Sequence, residues 1–141
     1  MLPLHHARRW RAASALLLLF VLAAAVMPAM WLWPDRVRIV AWFGGIDKWA
    51  HVITFVLLTV WFAGQYRRQS YWRIAIGLIA YGFLIEACQR LVTYRTAEWS
   101  DIGADVIGII IGLAVAIAGA GGWCQIFENR YVGQRAGESV D

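Results

Sequence analysis

The sequence predicts an all-α polytopic membrane protein, a bundle of four transmembrane helices with a short interfacial segment between helices 1 and 2. Three observations carry that expectation. The 141 residues are 61% hydrophobic and only 16% charged, with a mean hydropathy of +0.58, too apolar for an ordinary soluble domain and too short for more than one. Four long apolar runs are separated by short polar loops. Of nine tryptophans, only Trp42 lies in a connecting loop; Trp10, Trp31, Trp33, Trp49, Trp61, Trp72, Trp99 and Trp123 fall near the ends of the runs, where interfacial belts form.

Residues 1–11 read as a cytoplasmic N-terminal tail, with His5-His6 in a flexible and uninformative stretch. Arg8, Arg9 and Arg11 lead into the first span, about 12–33, interrupted only by Ser14 and Pro28. The basic flank resembles a signal peptide, but the apolar run continues far beyond a usual h-region, so a retained anchor is expected. Pro34-Asp35 ends it. Val37, Ile39, Val40, Trp42 and Phe43 follow, apolar but too short to cross, and are expected in the interface. The second span covers about 47–64 and the third about 72–92, joined by a loop carrying Arg67 and Arg68. The fourth, about 101–120, is punctuated by Gly119, Gly121 and Gly122, closing a membrane domain over 12–122. In the remaining cytoplasmic tail, 123–141, Trp123, Ile126, Phe127 and Tyr131 have helical spacing and suggest a helix on the surface.

Lys and Arg set the orientation. Arg8, Arg9, Arg11, Arg67, Arg68, Arg73, Arg130 and Arg135 fall on one side, and Arg36, Arg38, Lys48, Arg90 and Arg95 on the other. That bias places both termini of a multi-pass membrane protein in the cytoplasm. The net charge of +4 comes from arginines in tails and loops and forms no basic stripe, so nucleic acid is not an expected partner. Cys88 and Cys124 fall near opposite faces without CxxC spacing, which argues against a disulfide or a cysteine metal site.

The charges inside or beside the spans carry the functional signal. Asp47, Lys48 and His51 open the second span, Glu86, Gln89 and Arg90 close the third, and Asp101 and Asp105 open the fourth, all on one membrane side. Asp47, His51 and Phe55 share a helix face, as do Glu86, Gln89 and Arg90. Asp101, Asp105, Gly108 and Gly112 share another, which puts two carboxylates above a small-residue stripe with Ala104. Asp47, Lys48 and Asp101 also fit solvated helix flanks. Glu86 is different, being about six residues, roughly 9 Å, from its helix end, where a carboxyl group must be neutral or paired. A structural ion pair with Lys48, Arg90 or Arg95 would satisfy it too.

Three chemistries suit this set. The carboxylates and His51 offer divalent-cation ligands, but no metal motif is matched, and neither a metal nor a cofactor is assigned. General acid/base work would fall to Glu86, His51 or Asp101. Recognition of a phosphorylated lipid head would use Lys48, Arg90 and Arg95, with carboxylates orienting the cations.

Asp47-Lys48-Trp49-Ala50-His51 with Phe55, Glu86-x2-Gln89, and Arg95-x4-Ser100-Asp101-x3-Asp105-x2-Gly108-x3-Gly112 together resemble the VanZ-like membrane proteins. The resemblance covers about 46–116. It implies a role at the bacterial cell envelope, the family being named for resistance to the glycopeptide antibiotic teicoplanin. The family usually carries Asn where this chain has Asp105, so that position is expected to need a hydrogen-bonding side chain of that size, and Asp101 a charge.

The expected function is binding of a lipid-linked envelope precursor or anionic headgroup at the outer-leaflet side, by Asp47, Lys48, His51, Glu86, Gln89, Arg90, Arg95, Asp101 and Asp105; whether a reaction follows is left open. Membrane lipids are the expected partners. Two alternatives belong to other classes: a membrane scaffold for an envelope-synthesis enzyme, docking through Ala104, Gly108 and Gly112, and a proton- or ion-coupled transporter using Glu86 and His51.

Overall fold

Long runs rich in Leu, Ala, Val and Ile are compatible with helix, and in the absence of water only a helix satisfies its own backbone within one segment. The computed structural model describes residues 2–27, 46–91 and 99–138, with backbone only at 46, 47 and 131–138. Its elements are α1 (Ala7–Val26), α2 (Ile46–Gln65), a 3-10 turn (Arg68–Ser70) leading into α3 (Tyr71–Arg90), α4 (Trp99–Val115) extended by a π-type turn (Ala116–Ala120), and α5 (Trp123–Glu138). No strand occurs among the described residues.

Among the described residues, three segments are long and apolar enough to cross a membrane: Ala7–Val26, Arg68–Arg90 and Trp99–Ala120. The second helix matches them with 20 residues but carries Asp47, Lys48 and His51 in its first two turns. The expected interfacial segment falls within 28–45, outside the described residues. α1 begins earlier than its apolar run because Ala7, Arg8, Arg9 and Arg11 are good helix formers. It stops at Val26, and Met27, which precedes Pro28, is extended with ψ 134°. Proline sterically disfavours the helical conformation of the residue before it.

Contacts between helices fix their directions. Ser14 meets Gln65, Tyr81 meets Leu18 and Gln89 meets Ala25, so α1 and α3 run one way. His51 meets Asp105 and Ala63 meets Gly122, so α2 and α4 run together the other way. The core between them holds Phe55, Leu58, Ala63, Leu78, Ile85 and Ile109. Large apolar side chains also cover the outside, including Leu16, Phe20, Ile53, Leu57, Ile76 and Ile110, while His51, Gln65, Glu86, Gln89, Asp101 and Asp105 are buried. A soluble monomer of this size would not show so continuous an apolar surface. Polar groups inside and apolar groups outside are the arrangement a hydrocarbon solvent selects.

α2 and α4 make the closest approach. A Cβ on Gly108 would lie 2.5 Å from the Val52 carbonyl oxygen and 2.9 Å from Phe55 Cβ, and one on Gly112 would lie 2.6 Å from Thr59 Cβ. The small-residue stripe with Ala104, itself buried, therefore receives the chain's own second helix. Thr59 turns its hydroxyl back to the Phe55 carbonyl, 2.6 Å away, and leaves its methyl side to α4.

The end of the bundle nearer the N-terminus is tied by polar and aromatic contacts. Ser14 accepts from Trp61 Nε1 at 3.0 Å and Gln65 Nε2 at 2.9 Å. Trp10, Trp61 and Trp123 form a ring cluster with centroids 5.6–5.7 Å apart. Gly119 (φ 144°) and Gly122 (φ 74°) reverse the chain between α4 and α5, in a region L side chains avoid. α5 is thereby returned to the bundle, where Trp123 Nε1 donates to the Val60 carbonyl at 3.2 Å.

Residues 2–6, expected to be uninformative, are engaged as well. Glu128 accepts from the His5 and His6 backbone N–H groups at 2.7 and 3.0 Å and from Trp10 Nε1 at 2.9 Å. Burial alone would raise this carboxyl group, but the Trp10, His6 and His5 hydrogen bonds together hold it below its ordinary value. Burial, and secondarily Glu128, push the Cys124 thiol up to about 12, so it stays an inert thiol.

Two predictions follow from this packing. Gly108→Ala should destabilise the detergent-solubilised protein by about 1–3 kcal/mol through overpacking. Gly103→Ala, where a Cβ meets nothing within 4 Å, should be neutral or slightly stabilising; thermal unfolding of both checks the difference. The second concerns pH. A carboxyl group depressed in the folded state contributes stability above its unfolded pKa, and that contribution is lost as pH falls through the lower folded value. Glu128→Gln should therefore lower the melting temperature at neutral pH, and the gap to wild type should close under acid conditions.

Candidate functional site

The other end of the bundle is where α2 and α4 begin and α1 and α3 finish. Because His51 lies one turn before Phe55, and Asp105 a turn before Gly108, the close helix approach at those two positions also brings the two polar side chains together. His51 Nδ1 lies 2.8 Å from Asp105 Oδ1, with both side chains buried. With Asp105 as a carboxylate, which only accepts, the proton of this hydrogen bond would sit on Nδ1. Gly82 of α3 makes room for the same carboxylate: a Cβ there would stand 2.5 Å from Asp105 Oδ2.

Glu86 sits one helical turn beyond Gly82 on α3. It is 4% exposed, and its Oε1 has no hydrogen-bond partner among the described residues. Asp101, His51, Arg90 and Asp105 all lie within its electrostatic range. Leaving a buried polar atom unmatched costs about 1–3 kcal/mol, so the arrangement is expensive unless something else meets it. Asp101, also 4% exposed, completes an acid-rich interior.

The remaining predicted residues separate into different roles. Gln89 is buried, but its Nε2 donates to the Ala25 carbonyl at 3.1 Å and so holds α1 against α3. Lys48 is exposed at the start of α2. Arg90 is exposed too, its guanidinium 5.4 Å from the centre of the Trp99 ring. Asp47 lies in the first turn of α2, with its side chain outside the described set, and Arg95 lies outside the described residues. The structure thus gathers His51, Glu86, Asp101 and Asp105 in the interior and sets Lys48 and Arg90 on the surface at the same end.

No group of three His, Cys, Asp or Glu among the described residues has the geometry to hold a metal ion. What the interior can do is accept hydrogen bonds, through Glu86 and its neighbouring carboxylates, and shift a proton along His51–Asp105. Gly82 was not singled out from the sequence. Its spacing of four from Glu86 is the signal that could have found it, since a glycine one turn from a buried acid marks space beside that acid.

Fold and site together define a small helical membrane protein with one buried acid–histidine cluster at one end. A family model described as VanZ/LLP1 matches residues 2–120, and the chain belongs to that family. The match extends the resemblance carried by residues 46–116 back through α1 and the segment tied to Glu128. No curated protein and no solved structure matches the chain.

The His51–Asp105 pair yields a quantitative expectation. His51→Ala and Asp105→Ala should each destabilise the protein. A double-mutant cycle should give a coupling energy of about 1–3 kcal/mol, because either single change strands the other buried partner. Asp105→Asn should cost less than Asp105→Ala, since an amide oxygen still accepts from Nδ1. Denaturation of the four proteins in one detergent measures the coupling, and additive losses would mean that the pair does not act as a unit.

Proposed function

We propose that the protein spans the bacterial cytoplasmic membrane four times with both termini in the cytoplasm, and that its acid–histidine cluster binds the head of a lipid-linked envelope precursor from the outer-leaflet side. α2 is then a span as well, the second along the chain, its early charges lying at the membrane surface and His51 covered by α4. Counting Lys and Arg favours this orientation, with Arg8, Arg9, Arg11, Arg67, Arg68 and Arg73 at the cytoplasmic end.

The observation that carries the binding reading is Glu86 Oε1, a buried acceptor among other acids with no hydrogen-bond partner among the described residues. The chemistry around it narrows the ligand. An anionic group would be repelled by Glu86, Asp101 and Asp105, whereas hydroxyl groups would donate to them. Lys48 and Arg90, exposed at the same end, suit a phosphate. A head with sugar hydroxyls and a phosphate or pyrophosphate link to its lipid meets both requirements. A protein holding such a precursor would alter what a glycopeptide antibiotic finds at the surface, the phenotype for which the family is named. A scaffold docking through Gly108 and Gly112 would have to compete with α2, which packs on both.

Native mass spectrometry of the gently extracted protein tests this reading. A polyprenyl-phosphate or glycolipid adduct is expected on wild type. It should fall at least about fivefold, or about 1 kcal/mol, in Glu86→Gln and Asp101→Asn at unchanged thermal stability. A stoichiometric protein partner with no lipid adduct would overturn it in favour of the scaffold. Reporter fusions at Ser70 and Asp141 should both read as cytoplasmic, and a translocated C-terminus would refute the topology.

A further inference from the structure

At the opposite end from the acid–histidine cluster, a groove of about 310 Å³ runs between α1, α2 and α3. Its mouth lies at the α2–α3 turn, where Tyr66, Ser70 and Arg73 line it. Its shaft is walled by Phe62, Ile74, Gly77 and Leu78, and its deep end is closed by Tyr81, whose hydroxyl donates to the Leu18 carbonyl at 2.5 Å. From Arg73 to Tyr81 is eight residues of helix, about 12 Å of depth.

Gly77 is the informative residue. Glycine within a helix costs about 1 kcal/mol relative to alanine, and buried glycines such as Gly108 repay that cost by letting another helix approach. At Gly77 a Cβ would meet nothing within 4 Å. The glycine widens the groove, and no described residue fills the space.

Among the described residues that line the mouth, charge is of one sign. Arg67, Arg68 and Arg73 are exposed there, and the sequence contains no acid between Gln65 and Ile85. Glu128, an acid at this end of the bundle, already has both oxygens engaged by His5, His6 and Trp10. The Arg73 guanidinium lies 5.1 Å from the centre of the exposed Trp72 ring, a pairing suited to the headgroup layer.

We propose that this groove holds one anionic phospholipid of the leaflet on that side, its phosphate on Arg73 and its acyl chain along Phe62, Ile74, Gly77 and Leu78. The site rests on membrane insertion but not on the precursor reading, since it shares no residue with the cluster around Glu86. Its consequence is to fasten α1, α2 and α3 together through a lipid shared between them.

Native mass spectrometry in detergent with added phosphatidylglycerol or phosphatidylcholine tests it, with circular dichroism and thermal unfolding run alongside. Wild type should retain a single phosphatidylglycerol in preference to phosphatidylcholine. Arg73→Gln should lose that preference by about fivefold or more, roughly 1 kcal/mol. Gly77→Leu, whose Cβ would meet nothing within 4 Å, should fill the groove and abolish the adduct of either lipid while leaving the melting temperature equal or higher. Arg130→Gln, on the exposed face of α5, should retain it. Equal retention of both lipids by wild type would overturn the proposal. So would a Gly77→Leu protein that still binds phosphatidylglycerol, which would reduce the site to a surface anion contact without a chain slot.

Discussion

The contact between α2 and α4 at Gly108 and Gly112 sets the register on which the rest of the molecule depends. In hydrocarbon there is no solvent drive to bring apolar helices together, so association depends on close packing and on hydrogen bonds. The two glycines allow Val52, Phe55 and Thr59 to approach the α4 backbone. One turn nearer the cluster end, that same register puts His51 on Asp105 at 2.8 Å. A slip of a single residue would rotate His51 by about 100° and leave both groups buried without each other. The polar pair and the glycine stripe are therefore two parts of one constraint, and packing specificity and the candidate site are fixed by the same residues.

The two ends of the bundle use buried polar groups differently. At the end holding α5, each is matched: Ser14 bridges Trp61 and Gln65, and Glu128 is ringed by three N–H donors. Such satisfied networks stabilise and specify a structure. At the other end Glu86 Oε1 has no hydrogen-bond partner among the described residues, and it lies beside more acids. Unsatisfied buried polar groups are rare in folded proteins, which sets this end apart from the other.

Much of this was legible in the sequence because membranes make charge placement costly. Ionisable residues near three helix ends at a common depth pointed to one cluster, and the spacing of His51 with Phe55 and of Asp105 with Gly108 gave the correct faces. Gln89 showed the limit of that reasoning. Its place on the Glu86 face suggested a ligand group, yet its partner is the Ala25 carbonyl, a backbone atom of a helix whose rotation no side-chain pattern reveals. The Glu128 network was hidden for another reason. It depends on where the chain turns after Gly119 and Gly122, and glycine permits a positive φ without dictating the direction of the next helix. The end of α1 at Val26 was readable in principle from Pro28, but the continuing apolar run outweighed it.

α1 shows how a hydrophobic segment that resembles an export signal can be part of a fold. Its outer face is lipid-like, with Leu16, Leu19 and Phe20 exposed, and its apolar packing on the bundle is limited to one side. Polar contacts hold the rest. The Ala25 carbonyl receives Gln89, the Leu18 carbonyl receives Tyr81, Ser14 receives Gln65 and Trp61, and Trp10 reaches Glu128. Carbonyl oxygens of a helix keep a free lone pair even when their backbone bond is made, so these donors are satisfied without breaking α1. Loss of the helix would strand Gln65, Tyr81, Gln89 and Glu128 together. Each unmatched buried group costs on the order of 1–3 kcal/mol, and their sum would be comparable to the whole stability of a domain this small. The bundle from α2 to α5 therefore depends on α1 for its hydrogen bonds as well as for its packing, which accounts physically for a family match that begins at residue 2 and not at the first charged motif.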